Sequence, residues 1–405
     1  MPEAPLLAIV NGSVLLDRRL VDDAVVIIRG GRIAAAGPAR ATPVPRGARR
    51  LDARGLVVSP GFLDIHIHGS GGCRAEDDAP GMARHIIRNG TTWFLPTLMS
   101  DQVDRMLAAI DRVRAALGPQ AGGATIGGIH LEGPYLNPKY GAQRSSSNVA
   151  PDPHTVRRLI TRCRGALRLV TIAPERPGAL AAIRAFRRAG ATVAIGHSDA
   201  TEPQYLAARR AGITHATHLF NAMARQTWPA PDNYRGVKTV GIEELILADA
   251  GMTADIMADA TAAHVHPTML RVACKCLDGG RLSLITDAMS AAGLPFGEYR
   301  LADGQSVFTT RGEDVARLAN GGLCGSALSL CGALRNWMKH TGASLESALT
   351  MVTEAPARAV GVFARRGSLT PGKVADLTLL DRRLRVRRVF VAGREEFNLA
   401  APSHE

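Results

Sequence analysis

Between residues 60 and 364 the sequence alternates short apolar runs with longer amphipathic ones, and this alternation restricts the fold more than any other feature. Strand-like runs fall at 61–67, 92–97, 125–131, 167–173, 192–195, 214–217, 255–258 and 282–286. Each is apolar and too short for a stable helix. Helical patterns fill the gaps, as at 103–117, 179–189, 203–211 and 267–277, where apolar residues recur every three or four positions. Eight such units in about 300 residues predict an α/β fold of the (β/α)8 TIM-like barrel type. A doubly wound sheet is the alternative, but no Gly-rich nucleotide fingerprint follows an early strand.

The two ends of the chain have a different texture. Leu7-Ala8-Ile9-Val10 runs into Asn11-Gly12, a hairpin signal. Residues 24–28 run into Gly30-Gly31, and 33–36 into Gly37-Pro38. The tail offers strand-like runs at 375–380 and 386–391, with Gly393 after them. Neither end could close a core alone, so both are expected to join in one small β-sandwich domain. The expected division is 1–59 and 365–405 for that domain and 60–364 for the barrel.

No run approaches about 18 uninterrupted apolar residues, the length of a membrane span. The start, Met1-Pro2-Glu3-Ala4-Pro5, lacks a basic stretch followed by an apolar one. A cytoplasmic protein without membrane partners is therefore expected. The six cysteines (Cys73, Cys163, Cys274, Cys276, Cys324, Cys331) show no disulfide-framework spacing. Cys274-Lys275-Cys276 has no second pair or nearby histidine to complete a metal set, and reads as helix packing. The net charge of +13 admits nucleic acid or anionic substrates as partners. The arginines, however, are spread over helical segments without interleaved aromatics, and only 382–388 is dense, alternating like a strand with one exposed face. A solvated basic surface, with no nucleic-acid partner, is the expectation.

In a barrel, side chains alternate in and out along each strand, and chemistry gathers at the C-terminal strand ends. His66 and His68 end strand one two residues apart, so they project to the same side. Glu132 ends strand three, His197 follows strand five, His218 strand six and Asp287 strand eight. Six metal-competent side chains thus converge from five strands. Imidazole and carboxylate donors suit a divalent metal, Zn²⁺ by preference, with a position left open for water. His130 shares parity with Glu132 but lies deeper, which suits a supporting role. His215, three residues before His218, is expected to face away and pack beneath a helix. His85, His154, His340 and His404 have no strand-end context.

At these residues the chain resembles the amidohydrolase superfamily, and within it the deacetylases of N-acetylated amino sugar phosphates. The matching stretches include Pro60-Gly61-Phe62-Leu63-Asp64-Ile65-His66-Ile67-His68-Gly69, His130-Leu131-Glu132-Gly133-Pro134, Gly196-His197-Ser198, His218-Leu219-Phe220-Asn221-Ala222-Met223 and Thr286-Asp287-Ala288-Met289. The resemblance implies that Glu132, His197 and His218 hold the main metal. His66 and His68 are then available for a second ion bridged by Glu132, giving one or two ions per subunit. Superfamily members acting on cyclic amides bridge their metals with a lysine of strand four, and 170–175 contains none. Asp287 is implied as the group that takes the proton of the attacking water and passes it to the leaving amine. Substrate contacts are implied at Ala142, Gln143, Asn221, Ala222, Arg225, His264 and Leu323. Gln143 stands where the family commonly has a histidine that polarises the carbonyl. It can donate a hydrogen bond but carries no charge. The loop after Met223 and the stretch Asp259-Ala260-Thr261-Ala262-Ala263-His264 also depart from the family pattern. A homodimer acting on a small N-acetylated amino sugar phosphate is implied. The alternatives are hydrolysis of a different N-acyl amine and a non-catalytic scaffold, which the complete ligand set argues against.

Overall fold

A computed structural model describes residues 6–143, 145–223, 240–277, 280–301 and 304–399. Its centre is a ring of eight parallel strands: Phe62–Ile67, Thr91–Met99, Ile129–Glu132, Leu167–Ile172, Thr192–Ile195, His215–Ala216, Thr253–Ile256 and Leu282–Leu284, numbered one to eight below. Each pairs with the next in parallel register. Strands eight and one close the ring just past the end of strand eight. There Asp287 N donates to His66 O at 2.9 Å, and His68 N and Gly69 N share the Ala288 carbonyl at 2.9 and 2.8 Å. Asp64 ties the same seam, accepting from Thr286 Oγ1 at 2.7 Å. Burial, opposed by these hydrogen bonds, pushes its carboxyl up to about 7.

The helices lie outside the ring, and their sequence period explains why. Ala179–Arg188 buries Ala179, Ala182, Ile183 and Phe186 and turns Arg184, Arg187 and Arg188 away. Val103–Ala115 buries Met106, Leu107, Ile110 and Val113 on one face. These stripes meet the strands in one large core containing Ile110, Leu159, Ile183, Phe186 and Trp337. Each such side chain contributes about 1.5–3 kcal/mol by leaving water. Inside the ring a second cluster, with Leu63, Ile65, Leu95, Leu169 and Ile285, fills the barrel.

The chain ends build one eight-stranded sheet, from five strands within Leu6–Pro60 and three within Leu377–Asn398. They join where Val57–Pro60 pairs antiparallel with Leu377–Leu380. The sheet has its own core of Ile9, Val26, Ile28, Leu377 and Phe390.

Two local readings are corrected, and one element is new. Asn11-Gly12 is not a hairpin turn: strand Leu6–Leu16 runs through it, with Asn11 at φ 63° and a register shift on each side of Gly12. The chain turns instead at Asp17-Arg18, both at positive φ. The predicted run 125–131 splits into Thr125–Ile126 and Ile129–Glu132. A side chain on the intervening Gly127 would collide with the Trp93 ring. Between Gly297 and Ser326 the chain forms a four-stranded antiparallel sheet that the alternating pattern did not suggest. It is tied to the strand-eight loop by Ser326 N to Asp287 O and Met289 N to Ser326 O, both 2.9 Å.

Candidate active site

All six expected ligands meet at the C-terminal mouth of the barrel. They form two groups whose donor atoms lie within 4.8 Å of one another: His66, His68 and Asp287, then Glu132, His197 and His218. Glu132 joins them. Its Oε1 lies 3.0 Å from His197 Nε2, 3.1 Å from His218 Nε2 and 3.4 Å from His66 Nε2, while Oε2 lies 3.3 Å from His68 Nε2. Asp287 Oδ1 is 3.1 Å from His68 Nε2 and 3.4 Å from His66 Nε2. Its side chain is 11% exposed, the most open of the six.

The donor chemistry fits a metal. His68, His197 and His218 each direct Nδ1 at a backbone carbonyl, of Thr97, Tyr140 and Asn221 respectively, at 3.0, 3.3 and 3.1 Å. A carbonyl only accepts, so Nδ1 carries the proton and a neutral ring presents a bare Nε2. Such lone pairs converge here: His197 and His218 Nε2 are 2.9 Å apart, His66 and His68 Nε2 3.2 Å. That arrangement is repulsive unless a cation or a proton lies between the rings. Without a cation, protons are recruited. Burial opposes charge on His68, yet its bonds to Asp287 and Glu132 raise it to about 10. His218 rises against burial to about 9 through Glu132 and Asp287. Burial also opposes ionisation of Glu132 and Asp287, but the histidines around them hold both carboxyls below their usual range.

Backbone shape aims several of these groups. His197, His218 and Asp287 have φ of 48°, 32° and 48°, a left-handed conformation uncommon for side-chain-bearing residues. Each follows the end of its strand by two or three positions, so the turn of the chain sets its direction. Neighbours then fix the turns. Asp255 Oδ1 accepts the His218 backbone N–H, and Asp255 Oδ2 lies 3.0 Å from His215 Nε2. His215 is therefore not packed beneath a helix as expected; it is wholly buried between strands and steadies the carboxylate behind His218. His130 does stand behind the ligands. Its nitrogens meet Thr97 and Thr171 Oγ1 at 3.2 and 2.9 Å, and its ring meets the His66 ring edge-on at 4.7 Å. Burial holds it neutral, well below the usual histidine range.

A second support escaped the sequence reading. Asn137 Nδ2 donates to Glu175 Oε1 and Asp199 Oδ1 at 2.9 and 2.8 Å, and Ser198 Oγ donates to Glu175 Oε2 at 2.7 Å. This network fastens the loop after strand three over His197, whose carbonyl accepts from Asn137 N. A side chain on Gly141 would lie 2.5 Å from His197 Nδ1. The only sequence signal was a set of short polar residues just past strand ends.

The expected substrate contacts divide. Gln143 reaches the centre, with Nε2 3.0 Å from Glu132 Oε2 and Oε1 accepting from Ser100 N. Asn221 and Ala222 line the turn after strand six, and the Asn221 side-chain amide nitrogen is buried with no hydrogen-bond partner among the described residues. Ala142 packs against the apolar cluster of Met289, Leu301, Val307, Ala316 and Cys324. Leu323 is half-buried at the head of strand Leu323–Ser326. His264, the expected phosphate-side contact, lies against the protein. Nδ1 meets Asp259 at 3.1 Å, Nε2 meets the Gly325 carbonyl at 3.2 Å, and the side chain is 2% exposed. Both nitrogens meet protein acceptors. Arg225 lies outside the described residues.

A parallel barrel with clustered imidazoles and carboxylates at its C-terminal mouth is the architecture of a metal-dependent barrel enzyme. The chain belongs to the amidohydrolase family, whose profile matches residues 57–395. It is 35% identical to an N-acetylgalactosamine-6-phosphate deacetylase of Escherichia coli O157:H7, over 94% of this chain and 96% of that one. It is 34% identical to an N-acetylglucosamine-6-phosphate deacetylase of Lysinibacillus sphaericus, over 86% and 88% respectively. Among solved structures, an N-acetyl-D-glucosamine-6-phosphate deacetylase variant from Mycobacterium smegmatis, in complex with N-acetyl-D-glucosamine-6-phosphate, superposes with a TM-score of 0.84 at 32% identity. That match covers 97% of this chain and 100% of that one.

Proposed function

We propose that the chain hydrolyses the amide of an N-acetylated hexosamine 6-phosphate, N-acetylglucosamine 6-phosphate first among them, giving the amino sugar phosphate and acetate. The observation that carries this reading is the pair of ligand groups joined by Glu132, with Asp287 the most open carboxylate beside them. Relatives named for this reaction over most of the chain support it. Glu132, His197 and His218 would hold one divalent ion, Zn²⁺ by preference, and His66, His68 and Asp287 a second shared through Glu132. Such an ion supplies a lowered water pKa and a polarised carbonyl.

The residues themselves do the rest. Asp287 accepts the proton of the attacking water and delivers it to the amine as the C–N bond breaks. Gln143 swings its amide N–H from Glu132 to the carbonyl oxygen as negative charge develops there. The Asn221 amide, without a partner among the described residues, offers a donor to the sugar, and Ala142, Ala222 and Leu323 shape the rim. Arg225 is proposed to meet the phosphate. We expect a homodimer in the cytoplasm, in keeping with cysteines that form no disulfide among the described residues. Among the described residues no helix is long and apolar enough to cross a membrane.

A galacto-configured substrate is the second reading, favoured by the 35% identity to a deacetylase named for it. Acetate release from N-acetylglucosamine 6-phosphate, its galacto epimer and unphosphorylated N-acetylglucosamine separates the cases. The phosphorylated sugars should lead by about 100-fold in kcat/KM, the worth of one charge-assisted contact of roughly 3 kcal/mol. Equal turnover of the unphosphorylated sugar would overturn the phosphate assignment.

A further inference from the structure

The opposite end of the barrel holds a cavity of about 570 Å³, within the range of small-molecule sites. It sits below the starts of strands two, three and four, with Trp93, Arg114, Arg164, Arg168, Arg365 and Arg366 on its walls. No aspartate or glutamate lines it among the described residues. Two of the five guanidiniums are paired: Arg114 with Asp111 at 3.4 Å, and Arg366 with Asp376. Arg164, Arg168 and Arg365 have no side-chain hydrogen bond or ion pair among the described residues, and Arg168 Nε is buried without a partner.

Helix ends offer the plain explanation for such arginines. Val103–Ala115 and Pro153–Cys163 both finish at this cavity, and each C-terminus carries about half a negative charge. Two half charges do not balance three unpaired guanidiniums, so an excess of about two positive charges is left. A phosphate dianion matches that excess, and guanidinium forks suit its oxygens.

We propose that this cavity binds the phosphate group of a small anion, remote from the catalytic mouth. The group could arrive as inorganic phosphate or on a hexose phosphate. Calorimetry on the metal-loaded, full-length protein with inorganic phosphate, then with glucose 6-phosphate, tests this. Arg164 and Arg365 are exposed, so R164Q/R365Q should fold, and a thermal melt checks that it does. Saturable phosphate binding weakened tenfold or more in R164Q/R365Q, and unchanged in R184Q, which does not line the cavity, is the expected result. A glucose 6-phosphate site lost in the same variant would identify a sugar phosphate as the ligand, and its retention would leave inorganic phosphate. No saturable binding of either probe, or equal affinity of both for wild type and R164Q/R365Q, would overturn the proposal.

Discussion

The ligands are placed in two ways, a strand group and a loop group, and this division cuts across the two candidate metal-holding groups. His66 and His68 sit two residues apart at the end of strand one, and the strand period brings them to one side although the pairing with strand two is irregular there. His197, His218 and Asp287 stand past strand ends on left-handed backbone, held there by loop contacts. The strand pair is placed by geometry that nearly any sequence of the fold would share. The loop group is placed by named neighbours: Asp255 for His218, the Asn137 and Glu175 network for His197, and the barrel seam for Asp287. The first group should therefore be robust to changes nearby, and the second sensitive to its supports.

The largest effect should come from Glu132, the one residue both groups need. Glu132→Gln should strip tightly bound metal and cut kcat/KM by about 10³-fold or more, since metal charge stabilisation is worth several kcal/mol. Metal analysis beside turnover checks this. Removing the strand pair, with His66→Ala and His68→Ala together, should cost one equivalent of metal at most. It should lower turnover by roughly 10–100-fold, about 1.4–2.8 kcal/mol. Loss of all metal in that variant would make the two groups one indivisible site. Asp255→Asn touches no donor atom, yet it should weaken metal binding by roughly 10–100-fold, as outer partners of metal ligands do. A neutral result in competition with a chelator would mean that the His218 turn holds itself.

The smallest effect concerns pH in the metal-free protein. His68 and His218 are raised to about 10 and about 9, above an unfolded value of about 6.5. Their contribution to stability is complete below about 6.5 and is lost as pH climbs through 9 to 10. The melting temperature of metal-free protein should fall over that window, and added metal should flatten the fall. Parallel curves with and without metal would contradict the protonated cluster.

The same contrast explains what was legible in the sequence. Strand period and strand-end position exposed His66, His68 and Glu132, and the barrel followed from eight alternations. His215 was misread because counting three residues back from His218 assumes a strand, whereas His218 lies beyond its end. A turn around Asp259 folds the His264 ring inward, a placement no sequence period records. The sheet of Gly297–Ser326 follows the last barrel strand, where the βα pattern has nothing further to predict. Asn137 and Asp199 act between loops, and Asp255 acts from strand seven on the turn after strand six, contacts that no local pattern records.

The most direct test is Asp287→Asn, assayed for acetate release from N-acetylglucosamine 6-phosphate with metal content measured on the same sample. An amide accepts no proton, so kcat should fall by about 10²–10⁴-fold, the share of general acid–base catalysis, while the Glu132, His197 and His218 group keeps at least one ion. Turnover near that of the wild-type protein with metal in place would contradict Asp287 as the proton carrier and, with it, the proposed chemistry.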